Sequence, residues 1–203
     1  MTGVGHTLTG VAIGVICMPE KKSTWSRIVH LVVFGILANV PDFPFRDWGH
    51  HRYSISHSLF VNVLLILFLS TILAFLPNLR TRIGGWPVLI GGAFAWLSHL
   101  LLDTFYNHGK GLEMFWPFSK SRLALPIPWF SVVTEKPPPL TPETLHILLV
   151  ELAFYGSLLL VILFLKKAGV FDRTRRHVFQ KSMIAEGSFQ SRAPASRRAG
   201  HKE

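Results

Sequence analysis

The stretch Trp96-Leu97-Ser98-His99-Leu100-Leu101-Leu102-Asp103 lies near the end of an apolar run from Trp86 to Tyr106. This run is long enough to cross a bilayer core as a helix of ~20 residues. His99 and Asp103 are four positions apart, so a helix places them on one face, one turn apart. Inside a membrane each needs a partner, and a divalent metal such as zinc would serve both. A His–Asp hydrogen bond that pins two helices is the alternative.

The composition favours a membrane protein with several spans. Of 203 residues, 49% are hydrophobic and only 16% are charged, and the mean hydropathy is +0.37. A soluble domain rarely combines these values. The length allows one compact helical bundle. Cys17 is the only cysteine, which excludes an internal disulfide and a cysteine-based zinc site.

The pattern of apolar runs predicts an all-α fold, a polytopic transmembrane helical bundle. The three predicted spans cover 57–76, 86–106 and 144–165. Two shorter apolar helices, 5–18 and 27–40, precede them as a hairpin. We expect Ser56 to cap the first span and residues 78–85 to form a turn. No Lys or Arg precedes the first apolar run, so we do not expect a cleaved signal peptide.

The C-terminal residues differ in character from the rest of the chain. From Lys166 onward there are ten Lys and Arg against three acids. We therefore expect a membrane-embedded domain over 1–165 and a basic, disordered cytoplasmic tail over 166–203. Such a tail has affinity for anionic lipid. Nucleic-acid binding is not favoured, because no aromatic interleaving or known motif accompanies the charge.

The distribution of positive charge also predicts the topology of a multi-pass protein in the plasma (inner) membrane. With the tail, Arg80 and Arg82 inside, the loops 41–56 and 110–142 fall outside. Seven polar side chains then reach the extracytoplasmic face: His6, Asp42, His50, His51, His57, His99 and Asp103. Three His and two Asp among them suffice for one or two zinc-type sites with an open position for water.

Several short motifs resemble those of one family. They are Gly5-His6-Thr7, Pro41-Asp42, His51-Arg52-Tyr53-Ser54-Ile55-Ser56-His57-Ser58-Leu59, Ser98-His99-Leu100-Leu101-Leu102-Asp103 and Trp116-Pro117-Phe118. Over roughly residues 3–125 the chain resembles the membrane-bound, metal-dependent hydrolase-like proteins of the YdjM/DUF457 type. The family usually has Gly and Thr where this chain has Tyr53 and Ser56. The motif order is also similar to that of zinc-dependent phospholipase C. That enzyme has further ligands, for which Glu143 and His146 are the only nearby candidates.

The resemblance implies a reaction class, metal-dependent hydrolysis, and not a substrate. Because the site is expected at membrane level, we expect the substrate to be a phosphoester or ester of a lipid-like molecule. The metal would be held by His6, Asp42, His57, His99 and Asp103, and would activate a water molecule. The expected catalytic residues are His51, Arg52 and Asp103. A transporter or proton relay and a non-catalytic membrane scaffold remain open as alternatives. A serine hydrolase is disfavoured because no nucleophile-elbow motif surrounds Ser54, Ser56 or Ser58.

Overall fold

The computed structural model describes residues 3–18, 23–46, 48–49, 53–106, 111–125, 127, 130–131 and 141–171. In this part of the chain the regular elements are helical. They are α1 (Gly3–Cys17), α2 (Thr24–Leu37), a 3-10 turn η1 (Val40–Asp42), α3 (Tyr53–Ser56), α4 (Leu59–Phe75), α5 (Pro77–Ile83), α6 (Trp86–Asp103) and α7 (Pro142–Lys167). The predicted all-α class is confirmed.

Helices α1 and α2 form the predicted hairpin, with their backbones in close contact. A Cβ atom at Gly10 would overlap the Phe34 carbonyl oxygen and the Ala38 side chain. Asn39, just after α2, donates to Thr7 Oγ1 at 3.0 Å and to Gly35 O at 2.8 Å. The hairpin therefore holds the beginning of α1 beside the end of α2.

Helix α6 packs on this hairpin through small residues of its own. A Cβ atom at Gly91 would overlap Cys17 Sγ, and one at Gly92 would lie 3.2 Å from Leu37 Cδ1. Phe34, Val88 and Ala95 form a buried cluster at this contact. Helix α6 carries both His99 and Asp103. Its packing against the hairpin therefore fixes the positions of those side chains relative to α1 and η1.

Among the described residues, two helices are long and apolar enough to cross a membrane: α6 with 18 residues and α7 with 26. The predicted span at 57–76 qualifies only if α4 and α5 count as one broken span, because they meet at a bend of 109°. Residues 77–83 form a helix rather than the expected turn, since Pro77 begins a new helix at its first position. The cap of α4 is Ser58, not Ser56: its hydroxyl accepts from Val61 N at 3.3 Å.

Helix α7 reaches the start of α1 through a buried carboxylate. Glu151 is 1% exposed, and its Oε2 atom accepts a hydrogen bond from Gly5 N at 3.2 Å. Tyr155 lies one turn later and packs with Tyr106 and Phe130 in a second buried cluster. The division into domains at 165/166 stays a prediction, since 172–203 lie outside the described residues.

Candidate metal centre

Five polar side chains from four parts of the chain meet in the interior. His6 lies on the first turns of α1, Asp42 ends η1, His57 lies between α3 and α4, and His99 and Asp103 lie on α6. The three histidines are fully buried and Asp103 is 4% exposed. Asp42 is the least enclosed, with 26% of its side chain exposed. The cluster is therefore closed on most sides and opens next to Asp42.

The distances between these groups are those of ligands around a shared centre. His57 Nε2 lies 3.4 Å from Asp42 Oδ1 and 3.4 Å from Asp103 Oδ2. His99 Nε2 lies 3.4 Å from Asp103 Oδ2 and 3.7 Å from Asp42 Oδ1. His6 Nε2 lies 3.2 Å from Asp103 Oδ1, and its ring stacks on that of His99 with centroids 3.7 Å apart.

Two overlapping groups of three have ligand atoms that all lie within 4.8 Å of one another: His6, Asp42 and His99, and His57, His99 and Asp103. His99 belongs to both groups. Both ring nitrogens of His6 are buried, and neither forms a hydrogen bond within the part of the chain that the structure describes. A buried imidazole without a hydrogen bond is costly. A cation among these carboxylates would satisfy it, so the residues present fit a divalent metal.

Hydrogen bonds behind His57 and His99 orient the nitrogens that face the centre. His99 Nδ1 donates to Ala38 O at 2.9 Å. Ser56 Oγ lies 3.1 Å from Gly49 O, to which it can donate, and 2.8 Å from His57 Nδ1, from which it can then accept. Both rings thus use Nδ1 for a supporting contact and direct Nε2 at the carboxylates. Metal-binding histidines are generally held in this way.

The buried side-chain amide of Asn62 links the segment around His57 to α6 by hydrogen bonds. Asn62 Nδ2 donates to Ser56 O and to Ser58 O, both at 2.7 Å. Its Oδ1 accepts from Trp96 Nε1 at 2.7 Å. Trp96 lies one turn before His99, so this amide sets the spacing between the His57 segment and the helix that carries the other ligands.

The surroundings of Asp42 favour its ionised form. Burial alone would raise the pKa of Asp42, but the hydrogen bond from His57 and the nearby imidazole of His99 lower it below its ordinary value. Burial and the carboxylates of Asp103 and Asp42 raise the pKa of Tyr53, whose ring stacks on His57. Because metal ligands must be deprotonated, a metal bound here would compete with protons for these groups.

The structure thus brings together His6, Asp42, His57, His99 and Asp103, which the sequence had placed on one membrane face. His50, His51 and Arg52 lie outside the described residues, so their expected roles stay predictions. Sequence reasoning missed the contact of His99 with the Ala38 carbonyl and that of Glu151 with Gly5 N, one residue before His6. The sequence analysis did single out Ser56, and in the structure its hydroxyl lies 2.8 Å from His57 Nδ1.

The fold and the cluster define an all-helical membrane protein with a buried group of His and Asp side chains. The chain belongs to the YdjM inner membrane protein family, whose model matches residues 1–168. A search of curated proteins found no match, and a search of solved structures found none either. The likeness to zinc-dependent phospholipase C in motif order is not confirmed. Glu143 and His146, its candidate further ligands, are exposed on α7.

Proposed function

We propose that this chain is a membrane-bound, metal-dependent hydrolase of phosphoesters or esters of lipid-like substrates. The observation that carries the proposal is the convergence of three buried imidazoles and two carboxylates on one centre. His6, Asp42, His57, His99 and Asp103 would hold one or two divalent ions, of which zinc fits the ligand types best. When bound, such an ion lowers the pKa of water and polarises a phosphoryl or carbonyl oxygen.

Within this proposal Asp103 has two roles. Its two oxygens face different imidazoles, Oδ1 that of His6 and Oδ2 those of His57 and His99. Asp103 would help to hold the metal, and its carboxylate would also orient a water molecule or accept a proton from it. His51 would act as an acid or base, and Arg52 would hold the substrate phosphate. Both assignments derive from the motif they share with His57.

The open side of the cluster favours a substrate that comes from the membrane. Asp42 is the ligand reached from outside, and the segment after it carries Phe45, whose side chain is 61% exposed. Phe115 and Phe118, on the turn that follows Leu112, are exposed as well. Exposed aromatic side chains are typical of the membrane–water interface. A lipid head group held at that level would present its ester bond to the centre.

The activity is tested with a panel of phosphoester and carboxylester substrates in lipid micelles. Wild type should hydrolyse at least one of them, chelation should abolish the activity, and added zinc should restore it. Asp103→Asn keeps the size of the side chain but removes its charge, so we expect at least a 100-fold loss of rate with a normal yield of folded protein. The matched control is Glu143→Gln, which removes an exposed carboxylate.

Two outcomes would contradict the hydrolase. Activity that is equal in wild type, in Asp103→Asn and in the chelated sample would show that the metal centre does not catalyse it. If Asp103→Asn folds with a normal yield and wild type hydrolyses no substrate of the panel, the result would favour a scaffold. In that case the polar groups only bind one another.

A further inference from the structure

Glu151 is a carboxylate in the interior of α7, the longest helix of the described chain. Its side chain is 1% exposed, and the helix around it is long and apolar enough to cross a membrane. A carboxylate within a membrane helix is costly and generally marks a functional position. Glu151 is not one of the five clustered ligands. Its place in the molecule therefore requires a separate explanation.

The Glu151 carboxylate caps the start of α1 from another helix. Its Oε2 atom accepts a hydrogen bond from Gly5 N at 3.2 Å, across 146 positions of the chain. Gly5 is the third residue of α1, so its N–H group has no acceptor within the helix. The first turn of α1 contains no acidic residue of its own. Glu151 thus supplies the acceptor and the negative charge that stabilise a helix N-terminus.

His6, the residue after Gly5, lacks the support that the other two clustered histidines have. His57 and His99 each use Nδ1 for a contact with a neighbouring oxygen atom. His6 Nδ1 is buried and forms no hydrogen bond within the part of the chain that the structure describes. Apart from the stacking of its ring on His99, the placement of His6 beside Asp103 therefore depends on the backbone of α1.

Helix α7 also contacts the chain just beyond the Asp103 ligand. Glu151 and Tyr155 are four positions apart and share one face of α7. The Tyr155 hydroxyl lies 3.3 Å from that of Tyr106, which follows Asp103 by three positions. One face of α7 is thereby attached to α1 directly before His6 and to the segment directly after α6. These two contacts set the distance between a ligand on α1 and a ligand on α6.

We propose that Glu151 is a positioning residue of the metal centre, which holds the first turn of α1 so that His6 Nε2 faces Asp103. This role rests on the proposed function, because it takes the five clustered side chains as metal ligands. Glu151 acts through the reach of its side chain to Gly5 N, and not as a ligand. A carboxylate that only attached α7 to the bundle would affect stability without changing coordination by His6.

Two conservative substitutions separate the reach of the side chain from its charge. Glu151→Gln keeps the length and an oxygen that can accept from Gly5 N, but removes the charge. Glu151→Asp keeps the charge and is one methylene group shorter, so its oxygens fall short of Gly5 N. Zinc affinity of the purified full-length chain in detergent is measured by competition with a chelator. Glu151→Gln should bind zinc as wild type does, whereas Glu151→Asp should lose about 10- to 100-fold.

A second set of variants tests whether the effect passes through His6. In a His6→Ala background, Glu151→Asp should cause no further loss of zinc affinity, because the residue it positions is already absent. The cobalt-loaded Glu151→Asp variant should have the visible absorption spectrum of cobalt-loaded His6→Ala, since both lack the His6 nitrogen as a ligand. Glu143→Asp, the same shortening at an exposed position of α7, is the matched control and should bind zinc normally. Circular dichroism and gel filtration confirm that each variant is folded.

Three results would overturn this role of Glu151. Wild-type affinity in Glu151→Asp would show that the contact with Gly5 is not needed. A loss in Glu151→Gln as large as that in Glu151→Asp would show that the charge, and not the reach, matters. The same loss with and without His6 would show that Glu151 only stabilises the fold.

A wild type that binds no zinc would instead contradict the proposed metal centre. Hydrogen exchange in the metal-free chain then decides whether Glu151 holds the first turn of α1. Amides at the start of α1 should exchange faster in Glu151→Asp than in Glu151→Gln, because only the shorter side chain loses Gly5 N. Equal exchange in the two variants would overturn the positioning of this turn by Glu151.

Discussion

His57 Nε2 and His99 Nε2 lie 3.3 Å apart, although 42 positions separate the two residues in the chain. Each ring uses its other nitrogen for a supporting contact, His99 with Ala38 O and His57 with Ser56 Oγ. With Nδ1 so engaged, each ring directs its Nε2 atom into the same space. Asp42 and Asp103 border that space, so it has the charge and the donor atoms that a divalent cation requires.

The Ser56 hydroxyl orients His57, so its removal should weaken metal binding without unfolding the protein. Ser56→Ala leaves Nδ1 of His57 without its acceptor at 2.8 Å. Loss of such supporting contacts typically lowers metal affinity by about 10- to 100-fold. Zinc affinity is measured by competition with a chelator. Ser54→Ala, which removes a hydroxyl from the same short helix, is the control. Equal affinity of Ser56→Ala and wild type would show that His57 needs no such support.

The close contact of α1 with α2 should tolerate no added side chain. Gly10→Ala would push a methyl group into the Phe34 carbonyl oxygen and the Ala38 side chain. Overpacking of this kind costs about 1–3 kcal/mol, so we expect a lower midpoint of thermal unfolding in detergent. Gly156→Ala serves as the control, because the nearest atom, Leu152 Cδ1, is 3.9 Å from the added Cβ. Equal midpoints for the two variants would mean that α1 and α2 lie further apart.

The proposed orientation puts the metal centre on the extracytoplasmic side. In a Cys17→Ser background, Ser119→Cys should react with a membrane-impermeant thiol reagent on intact cells. Ser191→Cys should react only after permeabilisation. The reason is the positive charge of Arg80, Arg82 and the tail, which favours the cytoplasm. The opposite labelling pattern would move the centre to the cytoplasmic side.

Much of the fold and the cluster could be predicted because their signals are local. Apolar runs marked α6 and α7, and the spacing of four between His99 and Asp103 placed both on one helix face. The charge asymmetry of the loops and the parity of the spans together predicted that His6, Asp42 and His57 lie at the same end of the bundle as His99 and Asp103. The family resemblance then implied that these residues hold a metal.

Other features of the site and the fold leave no local pattern in the sequence. The Ala38 carbonyl contacts His99 through the backbone, and a backbone acceptor looks the same in every residue. Ser56 and Ser58 both precede the apolar run, and only packing decided which of them caps α4. The bend between α4 and α5 depends on Pro77 in an apolar context. A sequence pattern there does not separate a turn from a short helix.

Metal analysis of the purified protein tests the central proposal most directly. Wild type, isolated in mild detergent without chelator, should hold about one or two zinc-class ions per chain. His99→Ala should lose them, because His99 belongs to both groups of converging ligands. His146→Ala, which removes an exposed histidine from α7, should keep them. A wild type that is free of metal and does not bind added zinc, or a His99→Ala variant with an unchanged metal content, would contradict the proposed metal centre.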